Sequence, residues 1–202
     1  MISTEKYPIM EHFFTIQGEG TYSGRAAYFI RIAGCDVGCV WCDVKESWDK
    51  DQHTTMTIKE IIEKVAESKT DFVVITGGEP AMYDLRPLVD QLKSMGITIA
   101  IETSGCYPLQ GDVDWYCFSP KKFKAPCDEA YLRANELKVI ISHPSDLDWA
   151  NKHAEKVLDS CQLFLQPEWS NTEKLLPLII SYVKGNLKWK ISLQTHKYMN
   201  IP

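Results

Sequence analysis

Short apolar runs recur along this chain, and each stops abruptly in a polar or glycine-containing cluster. Phe72-Val73-Val74-Ile75 stops in Thr76-Gly77-Gly78-Glu79-Pro80, and residues 97–101 stop in Glu102-Thr103-Ser104-Gly105. Residues 115–118 lead into Ser119-Pro120-Lys121, 162–165 into Gln166-Pro167-Glu168, and 188–193 into Gln194-Thr195-His196-Lys197. Runs of this kind mark strands buried on both faces of a parallel sheet, and residues 9–16, 26–33 and 137–141 read as strands too. Helical stretches lie between them. Thr57 and Glu60 make a capping box ahead of Ile58, Ile61, Ile62 and Val65. Further helices are expected over 85–95, stopped by Gly96, over 128–134, over 145–158, capped by Ser145, and over 172–184, kinked or delayed by Pro177. Alternating strands and helices imply an α/β fold with a parallel sheet. A closed eightfold barrel takes roughly 250 residues. The expectation is therefore a partial, open TIM-type barrel of about six parallel βα units, a single domain over 1–202, with a doubly wound sheet as the alternative. Both folds bind ligands at the C-terminal ends of their strands. The polar clusters all fall there, which predicts one shared site.

Composition excludes several classes. No apolar run reaches the length of a membrane span, and residues 1–11 lack the apolar region of a signal peptide, so a cytoplasmic setting is expected. A net charge of −5, with one short basic cluster at Lys121-Lys122-Phe123-Lys124, gives no footprint for nucleic acid. Seven cysteines, an odd number with three clustered, argue for a reducing compartment rather than a disulfide scaffold.

The clustered thiols are Cys35, Cys39 and Cys42, in a C-x3-C-x2-C run that follows the strand at 26–33. Thiolates suit iron–sulfur clusters, zinc or copper(I), and two thiols at this spacing could be a redox pair. Structural zinc takes four protein ligands, and the nearest further candidate is His53, in a polar stretch. A cubane cluster normally takes four cysteines. Three would leave one iron open to a ligand that is not protein. In the Gly77-Gly78 turn, paired glycines let a ligand approach the backbone closely, and Glu79 could accept from an ammonium. Cys106, Cys117, Cys127 and Cys161 are scattered and read as small buried hydrophobes.

Taken together, these motifs resemble the radical S-adenosylmethionine (SAM) superfamily, and more narrowly the 7-carboxy-7-deazaguanine synthases. The narrower resemblance rests on Ile16-Gln17-Gly18-Glu19-Gly20, on residues 29–35, and on Cys39-Val40-Trp41-Cys42-Asp43. It also rests on the strand-end clusters at 76–80, 102–105 and 119–121 and on the tail 194–198. It implies that a reduced [4Fe–4S] cluster splits SAM into methionine and a 5′-deoxyadenosyl radical. The radical abstracts hydrogen from 6-carboxy-5,6,7,8-tetrahydropterin, the ring contracts to 7-carboxy-7-deazaguanine with loss of ammonia, and SAM is regenerated. The product leads to deazapurines such as queuosine. By the same resemblance Cys35, Cys39 and Cys42 would ligate the cluster, while Trp41, Cys42, Asp43, Gly78, Ser119, Pro120, Lys121 and Gln166 would hold SAM. Ile16, Gln17, Gly18, Thr76 and the terminal Pro202 would hold the pterin. Arg31 would meet its carboxylate, a matched donor set for a guanidinium fork, or else form a structural ion pair. Glu102 and His196 would be acid/base or hydrogen-bonding partners. A flavodoxin-type electron donor and a homodimer are implied as well.

One position departs from the family. Where a Thr or Ser hydroxyl helps ligate Mg²⁺, this chain has Val44. Magnesium takes oxygen ligands, so either this chain works without protein-ligated Mg²⁺ or Asp43, backbone and water supply the oxygens, and a weaker magnesium dependence is expected. Two other readings share parts of the pattern. One is an activase that places a glycyl radical on a partner enzyme. The other is a non-enzymatic zinc- or cluster-binding module.

Overall fold

The structure, a computed structural model, describes residues 5–202. The expectation of no apolar leader in part concerns residues 1–4, which lie outside the described residues. Strand β1 (Lys6–Ile16) forms an antiparallel hairpin with β2 (Ala26–Ile32), and β3 (Thr55–Thr57) pairs antiparallel with the far side of β1. From β2 the sheet continues through β4 (Phe72–Gly77), β5 (Thr98–Thr103), β6 (Trp115–Phe118), β7 (Glu136–Ile141), β8 (Gln162–Pro167) and β9 (Trp189–Ile191). The order β3-β1-β2-β4-β5-β6-β7-β8-β9 makes β2 and β4 to β9 seven parallel strands in chain sequence. Adding each strand on the same side is the progression of a TIM-type barrel. Here it stays open, with β3 and β9 at the two edges. The crossovers carry α1 (Ile58–Ser68), α2 (Arg86–Ser94), α3 (Asp128–Arg133), α4 (Asp146–Ala154) and α5 (Thr172–Gly185), and α6 (Thr195–Met199) follows β9.

Period-two alternation sorts each strand between two environments. Ile30 and Ile32, Val73 and Ile75, Ile99 and Ile101, Leu137 and Val139 pack against the helices in the main core. The alternate positions face inward: Phe72, Val74, Ala27 and Ala100 fill a small apolar interior. Further along the same inward rows come Arg31, Thr76, Glu102 and Lys138. Strands β4 and β5 are thus apolar on both faces for most of their length and turn polar at their C-terminal ends, whereas β7 already carries Glu136 and Lys138 inward from its start.

The expected capping box is present: Thr57 Oγ1 accepts from Glu60 N, and Glu60 bonds back to Thr57 N. Several local expectations need correction. Ser145 does not cap α4. Its hydroxyl pairs with His143 Nδ1 (2.9 Å), and Asp146 instead gathers the backbone N–H groups of Ser142 and His143 at 2.8 and 3.0 Å. With its hydroxyl engaged by the His143 ring, Ser145 has no side-chain bond to the first turn of α4. Helix α4 also ends at Ala154, short of residue 158. Helix α5 starts at Thr172 as expected and runs through Pro177 without delay, its buried Leu175 and Ile179 anchoring it on either side. Strand β3 and helix α6 were not expected. The polar tail at 194–197, read as a strand end, instead opens α6.

Candidate active site

The inward strand ends enclose a cavity of about 360 Å³. Its wall includes residues from every strand-end cluster and from the cysteine loop. The candidate residues named from the sequence for the cluster, SAM and substrate line it, Val44 included, except Pro120, which is buried at the end of β6 without reaching the cavity, and Glu79 lies outside the wall as well.

The cysteine loop leaves β2 through Gly34 and is tied down at both sides. Gly34 N bonds Ser47 O (2.7 Å), and Cys35 N bonds Trp48 O (3.1 Å). Asp36 accepts from Tyr107 (2.5 Å) and Lys124 (2.7 Å), which lie beyond β5 and β6. Cys35, Cys39 and Cys42 all line the cavity as free thiols. Burial raises Cys35 and pushes Cys39 up to about 11, so loading with metal would release protons. Among the described residues, no three His, Cys, Asp or Glu side chains converge closely enough for one metal ion. Three cavity-facing thiols on one loop are the soft donor set that an iron–sulfur cluster would take. Gly78 is pressed against this loop. A Cβ there would lie 2.5 Å from Gly34 O and 2.7 Å from Cys35 Cβ, so only glycine permits the approach.

Glu79 does not serve as an ammonium acceptor. Its carboxyl group is buried and lies outside the cavity wall. Oε1 accepts from Ala81 N (3.1 Å) and Thr103 Oγ1 (2.5 Å), and Oε2 from Ser104 N (2.8 Å) and the Ser104 hydroxyl. Glu79 is a clamp between the β4 and β5 ends.

The cavity floor is an ionic network. Lys138, almost wholly buried, donates to Glu19 (2.5 Å) and Glu102 (2.9 Å). Gln17 Nε2 donates to Glu102 (3.0 Å), and Gln17 Oε1 accepts from Glu19 N (3.0 Å). Burial alone would lower Lys138, but the surrounding Cys117, Glu102, Glu19 and Glu136 raise it well above the usual range. Burial opposes ionisation of Glu19, yet Lys138 and Gln194 hold its carboxyl below the usual range. Glu102 is thus an ion-pair partner that also faces the cavity.

The tail closes the other side. Thr195 N bonds Gly18 O (3.0 Å), and the His196 ring lies so near Gly18 that a Cβ there would come within 2.2 Å of Nδ1. Burial pushes His196 down, against the opposing pull of Glu19, and keeps the imidazole neutral. Lys197 Nζ donates to Asp43 (2.7 Å), and Gln194 Nε2 lies 3.3 Å from the same oxygen. Burial raises Asp43, but Lys197 and Gln194 outweigh it and hold the carboxyl below its usual range. Pro202 O accepts from Thr15 (3.2 Å). Arg31 Nε donates to Glu11 (2.6 Å), which leaves the guanidinium's terminal nitrogens without a hydrogen bond among the described residues. Lys121 Nζ donates to Ser119 (2.5 Å) and lies 5.5 Å from the Trp41 ring centre. Gln166 accepts from Ser192 (2.7 Å).

Glu19, Lys138, Gln194 and Lys197 were not singled out from the sequence as site residues. Lys138 carried a usable signal, since a lysine within an apolar parallel strand is rarely buried without acidic partners. Gln194 and Lys197 sat inside a recognised cluster, but the α6 turn that aims them was not foreseen.

The radical SAM superfamily model matches residues 29–133. A 7-carboxy-7-deazaguanine synthase from Flavobacterium psychrophilum is 53% identical over 199 residues, covering 98% of this chain and 94% of the relative. The chain belongs to the 7-carboxy-7-deazaguanine synthase family of radical SAM enzymes. Synthases of the family from Synechocystis sp. and Escherichia coli K12 are 48% and 34% identical, over 98% and 97% of this chain and 95% and 99% of those relatives. The crystal structure of QueE from Escherichia coli superimposes with a TM-score of 0.85 at 31% identity, covering 93% of each chain. Family membership sets aside the glycyl-radical activase and the non-enzymatic module. It brings with it a [4Fe–4S] cluster and SAM, which the three cysteines and the cavity around them are suited to hold. No helix among the described residues is long and apolar enough to cross a membrane.

Proposed function

We propose that this chain converts 6-carboxy-5,6,7,8-tetrahydropterin to 7-carboxy-7-deazaguanine and ammonia. The observation that carries this reading is convergence: the Ile16-Gln17-Gly18 turn, Arg31, Thr76 and the cysteine loop all face one cavity. Cys35, Cys39 and Cys42 would hold the cluster, with Gly78, Ser119, Lys121, Gln166 and the Trp41-Cys42-Asp43 backbone around SAM. Bound there, the reduced cluster and SAM supply the radical that starts the reaction. Loss of ammonia alone balances substrate and product, so the conversion is redox-neutral and SAM can be regenerated. The protein's part is to bind and orient. Arg31, steadied by Glu11, offers its terminal nitrogens to the substrate carboxylate. Gln17 and Gly18 offer main-chain groups to the pterin edge. Glu102, fixed by Lys138, and neutral His196 offer hydrogen bonds to the ring. Residues 1–202 are taken as one domain, supported by a single sheet that runs from β1 to β9. A flavodoxin-type donor, a homodimer and a cytoplasmic setting complete the reading. The seven free cysteines support a reducing compartment.

The test is anaerobic reconstitution followed by turnover. A cluster chromophore that bleaches on reduction, with deazaguanine formed only when SAM and the carboxypterin are both present, is the expected result. SAM cleavage that proceeds without the pterin, or a crystal soak placing the pterin away from Arg31, would overturn it.

A further inference from the structure

Four side-chain carboxylates line the cavity, and each already carries a hydrogen bond or an ion pair. Glu19 and Glu102 share Lys138, Glu168 accepts from Ser170 and Asn171, and Asp43 accepts from Lys197 and Gln194. Magnesium asks for oxygen donors in near-octahedral array. Val44 supplies none, and an ion on Asp43 Oδ2 would sit against the Lys197 ammonium at 2.7 Å. The residues here do not fit a divalent cation.

They fit an ammonium. We propose that Lys197, seated on Asp43, is the cation that meets the substrate carboxylate in this chain, which therefore binds its substrate without a divalent metal. The assignment rests on the carboxypterin reading above. Lys197 lines the cavity, its side chain is 22% exposed, and its ammonium lies 4.9 Å from the Trp169 ring centre. Asp43 on one side and the indole face on the other hold the head in place, so little freedom remains to be lost when a ligand arrives. An ammonium has three donors. Asp43 takes one, and no other hydrogen bond to Nζ is made among the described residues. A carboxylate has lone pairs enough for Arg31 and Lys197 together. Val44 then needs no hydroxyl, because there is no metal for it to ligate.

The experiment measures binding to the reconstituted, SAM-loaded enzyme by calorimetry. The ligands are 6-carboxy-5,6,7,8-tetrahydropterin and tetrahydropterin lacking the carboxylate, each in metal-depleted buffer and with added Mg²⁺. Wild type is expected to bind the carboxypterin equally well in both buffers. Lys197→Met should weaken that binding about ten- to a hundredfold, as expected for losing a hydrogen bond to a charged group. It should leave the carboxylate-free pterin and SAM unaffected, and Lys197→Arg should retain most of the affinity. The assignment is overturned if metal depletion weakens wild type tenfold or more. It is equally overturned if Lys197→Met weakens both pterins alike or weakens SAM instead. If wild type binds neither pterin, the substrate reading itself fails and takes this assignment with it.

Discussion

Glu79 shows how much one side chain decides at the strand ends. It sits in a glycine-rich turn that looks made for ligand contact, yet it is 1% exposed and spends both oxygens on its own protein. One backbone N–H points at each oxygen, from Ala81 and from Ser104. An amide has a single acceptor oxygen, so Glu79→Gln must leave one of these N–H groups facing another donor whichever way it is flipped. An orphaned buried group costs about 1–3 kcal/mol, and the expected loss of stability is therefore about 2 kcal/mol by urea denaturation. An unchanged midpoint would mean that the clamp is not a constraint. The wall that Glu79 supports includes Thr103 and Ser104 beside Gly78, so SAM affinity should fall along with stability.

At the scale of elements, α4 carries a titration of its own. His153 stacks on Tyr131 of α3 and meets Trp149 edge-on, and its Nδ1 lies 2.9 Å from the Tyr131 hydroxyl. Burial pushes His153 down to about 4 from an ordinary 6.5. Below pH 6.5 the unfolded chain binds a proton that the native state refuses, so stability is lost as pH falls towards 4. Between pH 7 and pH 5 this amounts to about 2 kcal/mol. His153→Gln keeps a partner for Tyr131 but has no proton to take up, and the difference between urea midpoints at pH 7 and pH 5 should shrink by that amount. An unchanged difference would place the acid sensitivity elsewhere. The same scale shows why some elements were legible and others not. Strands β4 and β5 announce themselves because burial on both faces leaves uninterrupted apolar runs. Strand β3 is three residues long, and α6 is a single polar turn held by tertiary bonds to Gly18. Neither leaves a periodicity to read.

Across the whole molecule, what remained hidden in the sequence is pairing between distant segments. The cysteines, the Gly77-Gly78 turn, Arg31 and the 16–18 turn could each be picked out alone, because each has a local pattern. Lys138 with Glu19 and Glu102 could not, since its partners lie 119 and 36 residues away. That trio joins the β1–β2 turn, β5 and β7, and Glu136 adds a further buried carboxyl group that accepts from Thr21 N (2.9 Å). The barrel interior thus concentrates acid around one ammonium. Lys138→Met leaves Glu19 and Glu102 buried without their counter-charge, a change that typically costs about 3–5 kcal/mol. Without Lys138 the burial that opposes ionisation of Glu19 loses its main counterweight, the carboxyl titrates higher, and the variant loses stability as pH rises. The deficit relative to wild type should therefore be largest near pH 8 and should narrow at pH 5, the opposite trend from that set by His153. Urea denaturation of both proteins at the two pH values decides it. A deficit that stays constant with pH would mean that Lys138 acts through packing alone and that the network is not electrostatic in origin.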